Sequence, residues 1–510
     1  MTSTPSTSER FGTPLFTSDQ VRKIESANTQ IDLMRRAGRA AAEFLFARTT
    51  VDSRIVLFAG PGSNGGDALA CAAELAQAGY FPIVVLLGDP EKFVEDAARA
   101  WQRVIELQDL SSDSSYVPSP TSGWREKILV TRTIPAPISA EWVIDGLFGI
   151  GLKRRLHGVY RDAVQAIATA RTDGAQVLAL DVPSGVDADT GAVLGDAIVA
   201  ADFTMTFIAN KPGLVTGPAL DYVGELRCAT LDLPLLQQQG AVYLLNATYL
   251  SAARKAPQAN AHKGSHGTCV IIGGANGMLG AVLLASRAAM RTGAGKVKIG
   301  WLTEPHPQVD PLMPEVMMNS AVELINTDCH AMVIGCGLGV SGAAVRILKS
   351  ALNRDLPMVI DADALNLIAE SAELATLVQR RTAPTIITPH PAEAARLLGC
   401  STADVQHDRI KTARDLAKGY SCIAVVKGAG TVVCDGTTTT VNSTGNPLLA
   451  TAGTGDVLAG MIGSLLAQGY DAATAARLGV CMHGTAADAM RARGVKRAVA
   501  DDVIAELQFL

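Results

Sequence analysis

Short runs of β-branched and other apolar residues alternate with alanine-rich stretches along most of the chain, and many of the runs end in a glycine-rich turn. No other feature constrains the fold as strongly. Such alternation specifies βαβ units, a parallel sheet and helices on both of its faces. It occurs in two blocks. In the first, strands are expected at Arg54–Ala59, Pro82–Leu87, Trp142–Ile144, Gln176–Leu180 and Phe203–Phe207, with a Ser- and Pro-rich loop at Ser111–Gly123. In the second they are expected at Thr268–Ile272, Lys296–Ile299, Met332–Ile334, Met358–Ile360, Thr385–Ile387 and Ile423–Val426. Helices should then run from Gly453 through Gln468 and from Ala472 to Arg491. The expected fold class is α/β, with two doubly wound three-layer αβα domains. A length of 510 residues suits two or three domains. Residues 1–16, rich in Ser, Thr and Pro, should be a disordered tail; residues 17–240 and 241–510 should be the domains. The boundary is expected near Leu235–Leu250, where LLQQQGAVYLLNATYL follows neither block's pattern.

Composition removes several classes of function. The 44 Lys and Arg against 49 Asp and Glu leave no basic footprint for nucleic acid. The longest apolar runs are strand-sized and the first residues lack a secretory apolar stretch, so no membrane partner is expected. The nine cysteines are scattered, with no CxxC pair or His/Cys cluster, which points to a reducing, cytoplasmic compartment.

Parallel sheets bind ligands at the C-terminal ends of their strands. Three features of the first block fall there. Gly60-Pro61-Gly62-Ser63-Asn64-Gly65-Gly66-Asp67 can bring backbone N–H groups to an anion, but it also reads as a plain turn capped by Asn64 or Asp67. Asp145 and Asp181 each end a strand before a glycine loop, the second followed by Val182-Pro183-Ser184-Gly185. Two carboxylates, an amide and a hydroxyl suit a hard cation or proton transfer; capping is the alternative for each Asp.

With Leu33-Met34-Arg35-Arg36-Ala37-Gly38 before them and Lys211-Pro212-Gly213-Leu214 after, these motifs resemble the NAD(P)H-hydrate epimerase family over residues 17–232. The resemblance implies a Rossmann-like domain that binds hydrated nicotinamide nucleotide (NADHX and NADPHX) and potassium. It implies Asn64, Asp145 and Ser184 as K+ ligands. Substrate contacts would come from Ser63, Asn64, Gly65, Gly66 and Asp67, from Gly149, Ile150, Gly151, Leu152, Lys153, Arg154 and Arg155, and from Asp181 as acid/base. Ser63 stands where the family usually has Asn, and Ile150 where Thr is common, each removing one possible hydrogen bond.

The second block holds the sharpest local signal, Gly453-Thr454-Gly455-Asp456 before the apolar helix from Val457. N–H groups at such a helix start can neutralise charge on a transferring phosphoryl group, and the Asp can take a proton from an attacking hydroxyl; simple capping is the alternative. Lys427-Gly428-Ala429-Gly430-Thr431 ends a strand and can meet a nucleotide, or be a solvated turn. Thr388-Pro389-His390-Pro391 ends another, and a lone His is more often structural than catalytic.

Together with His262-Lys263-Gly264, Gly273-Gly274, Gly280-Ala281, Arg291-Thr292-Gly293-Ala294-Gly295, Pro314-Glu315-Val316-Met317, Gly337-Leu338-Gly339 and Asp361-Ala362-Asp363, these motifs resemble the NAD(P)H-hydrate dehydratase family over residues 250–505. That resemblance implies a ribokinase-like fold, with Ala281, Gly339, His390 and Asp456 lining the hydrate site. Lys427, Gly428, Ala429, Gly430, Thr431 and Gly455 would bind the adenine nucleotide. ADP is the implied co-substrate, with Mg2+ countering its phosphates, and the expected assembly is a homo-oligomer. Cys336 stands where the family often has Pro, a change in loop stiffness. The implied function is repair of hydrated NAD(P)H, with Asp456 as the catalytic base of dehydration and Asp181 that of epimerisation. The main alternative is a ribokinase-like kinase acting on a vitamin-precursor alcohol.

Overall fold

A computed structural model describes residues 12–93, 95–108, 128–233, 242–256 and 259–510. The Ser111–Gly123 loop lies outside the described residues. The chain divides into two compact units, Leu15–Ala241 and Val242–Leu510, the latter joined by the N-terminal residues as far as Pro14. The first strand, β1 (Thr13–Leu15), lies beside β9 (Val242–Leu245) at the edge of the C-terminal sheet. This corrects the expected tail, since Thr13–Leu15 is a strand and Leu15 and Phe16 are buried. Burying two large apolar side chains stabilises an ordered chain there by about 1.5–3 kcal/mol each. Residues 1–11 lie outside the described residues.

The N-terminal unit holds β2 (Ile55–Ala59), β3 (Ile83–Leu86), β4 (Leu129–Thr131), β5 (Trp142–Gly146), β6 (Gln176–Leu180), β7 (Phe203–Phe207) and β8 (Glu225–Ala229). Their order is β4–β3–β2–β5–β6–β7–β8, every pair parallel. Along β2, Ile55, Leu57 and Ala59 enter one apolar cluster, while Val56 and Phe58 enter another. A strand buried on both faces loses the polar alternation of a half-exposed one, which is why it reads as a continuous apolar run. Chain progression reverses between β2 and β5, creating a crevice at their C-terminal ends.

The C-terminal unit adds β10 (Thr268–Gly273), β11 (Lys296–Trp301), β12 (Met317–Ser320), β13 (Ala331–Ile334), β14 (Met358–Ile360), β15 (Thr385–Ile387), β16 (Ile423–Val426), β17 (Val432–Cys434) and β18 (Thr439–Asn442). The order is β1–β9–β18–β17–β16–β15–β14–β13–β10–β11–β12. Strands β10 to β16 pair in parallel, whereas β17 runs antiparallel to β16 and β18. Here the reversal lies between β10 and β13. The Val242–Leu245 part of the ambiguous boundary segment is strand β9, parallel to β18. Among the described residues no helix is long and apolar enough to cross a membrane.

Candidate active sites

Both clusters of candidate residues sit where each sheet reverses. In the N-terminal unit, β2 runs into the helix Ser63–Gln77, whose N-cap is Gly62 with no side-chain cap. The capping alternative for Asn64 therefore fails. Both polar atoms of the Asn64 side chain are buried with no partner among the described residues. The turn is close: a Cβ on Gly65 would sit 2.0 Å from the Gly60 carbonyl oxygen.

Strand β5 carries Asp145 inside its last turn of pairing, so the strand outruns its expected end at Ile144. Asp145 is fully buried; its oxygens accept from Leu147 N–H (3.1 Å), Ser184 Oγ (2.7 Å) and Ser184 N–H (2.8 Å). Burial raises its carboxyl to about 6, and the Ser184 and Leu147 bonds only partly offset this. Asp145 thus holds its own loop and the Ser184 loop together.

Asp181 lies just beyond β6 with φ +60°, a left-handed conformation that costs a non-glycine residue about 1–2 kcal/mol. Its Oδ1 accepts from Lys211 Nζ at 2.5 Å, and the ammonium also donates to Thr206 Oγ1 (2.7 Å) and the Phe207 carbonyl (2.8 Å). Lys211 is wholly buried, so this ion pair fixes Asp181 from beneath. Its Oδ2 is 2.9 Å from where a Gly149 Cβ would stand, a point also 3.5 Å from Asn64, so these three residues converge. Asp67 joins them: burial first, then Asp181 and Glu25, push its carboxyl well above the usual range. Of the following loop, Lys153 is committed to Asp187 (3.0 Å) and Asp189 (3.3 Å), while Gly151, Arg154 and Arg155 are exposed. Ser63 is exposed beside the converging group.

In the C-terminal unit the helix Thr454–Ala467 starts at Gly453, φ +88°, again with no side-chain cap. Asp456 in its first turn is therefore no cap. Burial raises its carboxyl to about 6, with Asp361 adding to the rise and the Cys336 thiol and Lys427 pulling it back. Cys336, Asp361 and Asp456 have ligand atoms within 4.8 Å of one another. Cys336 was expected to alter only loop stiffness; its wholly buried thiol instead lies against the Asp456 carboxylate. Cys336→Ala removes that donor, so any reaction that uses the Asp456 carboxylate should have its acidic limb moved up by about half a pH unit. A pH–rate series on both forms checks it, and an unmoved limb would contradict the contact.

Lys427 donates to Asp361 Oδ1 at 2.7 Å and lies 4.0 Å from Glu393, so it is not a solvated turn residue. Burial opposes its charge, but Asp361 and Glu393 hold the ammonium protonated. A Cβ on Gly455 would sit 3.3 Å from Lys427 Nζ, placing the cation at the glycine turn. His390 caps the helix Pro391–Leu398, its Nδ1 accepting from Ala392 N–H at 3.1 Å, and Nε2 lies 3.3 Å from Glu393. Burial, and then Lys427, lower its pKa, leaving a neutral ring. Gly339 N–H donates to Asp363 Oδ2 at 2.8 Å, and a Gly337 Cβ would lie 3.1 Å from the Ala281 Cβ. Of the expected hydrate-site residues, Asp456 lies with Cys336 and Asp361, Ala281 lies beside Gly337, and His390 lies beside Glu393.

Two residues escaped motif reading. Arg409 is buried, donates to the Ala429 carbonyl at 2.6 Å and packs where a Gly428 Cβ would be, which shapes the Gly428–Thr431 turn. Its guanidinium is paired with no carboxylate among the described residues. His483 is buried near Lys427, and burial lowers its pKa to about 4. Single Arg and His residues within helices carry no local signature.

Comparison with known proteins agrees with this layout. Residues 269–508 match the family described as NAD(P)H-hydrate dehydratase, and residues 30–213 the YjeF-related protein N-terminus. The bifunctional NAD(P)H-hydrate repair enzyme Nnr of Coxiella burnetii is 38% identical, covering 98% of this chain and 99% of its own. This chain belongs to the bifunctional NAD(P)H-hydrate repair enzymes. The Escherichia coli repair enzyme is 36% identical over 94% of this chain and 89% of its own. A solved ADP/ATP-dependent NAD(P)H-hydrate dehydratase from Bacillus subtilis, co-crystallized with ATP/Mg2+, is 30% identical, covers 51% of this chain and 94% of its own, and has a TM-score of 0.46. Within the repair-enzyme family, the dehydratase match falls on the C-terminal unit and the other match on the N-terminal unit.

Proposed function

We propose that the C-terminal unit dehydrates the S form of NADHX and NADPHX at the expense of ADP, and that the N-terminal unit interconverts the R and S forms so that both drain through it. The observation that carries the reading is Asp456: a half-buried carboxylate that caps nothing, in the first turn of a helix whose glycine start lies beside the Lys427–Asp361 pair. The hydrate carries a hydroxyl on C6 of its reduced nicotinamide ring, and hydroxide is a poor leaving group. Asp456 takes the hydroxyl proton as the oxygen attacks the terminal phosphoryl group of ADP. The backbone N–H groups at the helix start stabilise the charge on the transferring group, and AMP departs. Loss of phosphate from C6, assisted by the ring-nitrogen lone pair, and of a proton from C5 then restores the C5=C6 double bond of the reduced nucleotide. Magnesium would enter with the phosphates and counter their charge.

Potassium fits the N-terminal crevice. Asn64 has an orphaned buried side chain, and Asp145 is a buried carboxylate with no basic partner among the described residues. Asn64, Asp145 and Ser184 would hold the ion, which would offset negative charge near the bound nucleotide. Asp181 performs the proton transfer on the C6 hydroxyl, and nine free cysteines support a reducing, cytoplasmic setting.

The test is one assay on the whole chain, supplying mixed epimers with ADP or ATP separately. Nicotinamide absorbance should return to completion with ADP, with AMP and phosphate released. A stable phosphorylated product would favour a kinase, and return of only one epimer would remove the epimerase role.

A further inference from the structure

Strand β7 reads Phe203-Thr204-Met205-Thr206-Phe207, a strict alternation. Successive side chains of a strand point to opposite faces, so the two threonines share the face turned away from Phe203, Met205 and Phe207. Met205 and Phe207 are buried in an apolar cluster with Phe203 packed against it. Both threonines are wholly buried on the other face, where each hydroxyl needs a partner. Thr204 finds one in the framework, donating to the Val223 carbonyl at 2.6 Å. Thr206, one pleat closer to the crevice, does not. Its Oγ1 accepts from Lys211 Nζ at 2.7 Å and donates to Asp181 Oδ1 at 3.3 Å. The Lys211 ammonium also donates to Asp181 Oδ1 (2.5 Å) and to the Phe207 carbonyl (2.8 Å), so its three protons are all committed and none remains for a substrate. Asp181 Oδ1 in turn accepts from the ammonium, from the Thr206 hydroxyl and from Phe207 N–H at 3.4 Å. Among the described residues nothing donates to Oδ2, the oxygen that faces Gly149.

We propose that Thr206 is a positioning residue of the epimerase site: with Lys211 it engages Oδ1 and fixes the rotation of the carboxylate, so that Oδ2 takes the C6 hydroxyl proton and returns it. The proposal rests on the epimerase reading of this unit and on Asp181 as its acid/base. The terminal torsion of an Asp side chain is broad, so a carboxylate held at one oxygen by a single charge can still turn about it. A hydroxyl donor set beside the ammonium removes that freedom. The ammonium can only donate, which makes the Thr206 oxygen its acceptor and directs the single hydroxyl proton to Asp181. Reacting groups held in one geometry gain rate without gaining affinity, which separates this role from substrate binding.

The experiment follows one purified epimer to equilibrium by chromatography, using the full chain without nucleotide so that dehydration is silent. Thr206→Val keeps the shape and removes the hydroxyl; it should lower kcat about 10-fold or more, with KM nearly unchanged. If the Val form does not fold, Thr206→Cys, whose S–H is a weak donor, should show the loss instead. Thr206→Ser returns the hydroxyl and should bring kcat to within about threefold of the parent. Thr204→Val removes the other buried hydroxyl of the same face and should hold kcat within about twofold, whatever its unfolding midpoint. The proposal is overturned by a Thr206→Val or Thr206→Cys kcat within about twofold of the parent, or by a loss confined to KM. A kcat loss that Thr206→Ser does not restore, or that Thr204→Val matches, overturns it as well. Failure of the parent chain to interconvert the epimers, or unchanged exchange in Asp181→Asn, would instead remove the reading on which it rests.

Discussion

Asp456→Asn should abolish dehydration while leaving exchange between the epimers at the parent rate. The loss expected for removing a general base is about 10²–10⁴-fold in kcat. Asn keeps the shape of the side chain and cannot take the C6 hydroxyl proton. The substitution should not cost stability, because Asp456 caps no backbone group and its charge is opposed by burial and by Asp361. The unfolding midpoint should therefore hold or rise. Absorbance recovery from the S hydrate with ADP measures the first effect, and chromatography of the epimers measures the second. Dehydration within about tenfold of the parent would take Asp456 out of the base role. The carboxyl's value of about 6 sets the pH dependence: the base form dominates above that point, so activity should fall as pH drops through it.

Asp181→Asn should do the reverse, removing epimerisation by about 10²-fold or more and sparing dehydration of the S form. The amide oxygen can still accept from Lys211, so the buried ammonium keeps a partner and the unit should stay folded. The contrasting change is Lys211→Met. It leaves Asp181 without its cation, and breaking a buried pair from one side costs about 3–5 kcal/mol. An unfolding curve separates the two: the Asn variant should lose activity with little change in midpoint, whereas the Met variant should lose stability. Unchanged exchange between the epimers in Asp181→Asn would remove that residue from the chemistry.

The strands around both crevices were legible from their apolar runs, among them Gln176–Leu180, Phe203–Phe207 and Met358–Ile360 with the bounds expected. The edge strands β4 and β12 and the antiparallel β18 were not, because polar residues interrupt the apolar run that marks a buried strand. The motif loops reached the right places because a loop after a parallel strand has only one end of the sheet on which to lie. What those loops do there was less legible. Asn64 and Asp456 could both be read as caps until the N-caps of their helices proved to lie two and three residues earlier, at Gly62 and Gly453.

Sequence alone determined two α/β sheets and the motif loops that end their strands; the strand order, and with it the points of reversal, came from the tertiary structure. The strands and loops depend on patterns within a few residues of one another, where side-chain period and turn chemistry act directly. Tertiary structure alone decided the partners: Lys211 beneath Asp181 across 30 residues, Lys427 on Asp361 across 66, and Cys336 against Asp456. The reason is physical. Which charge faces which across a crevice depends on strand register and helix docking, and these are set by the packing of the whole core.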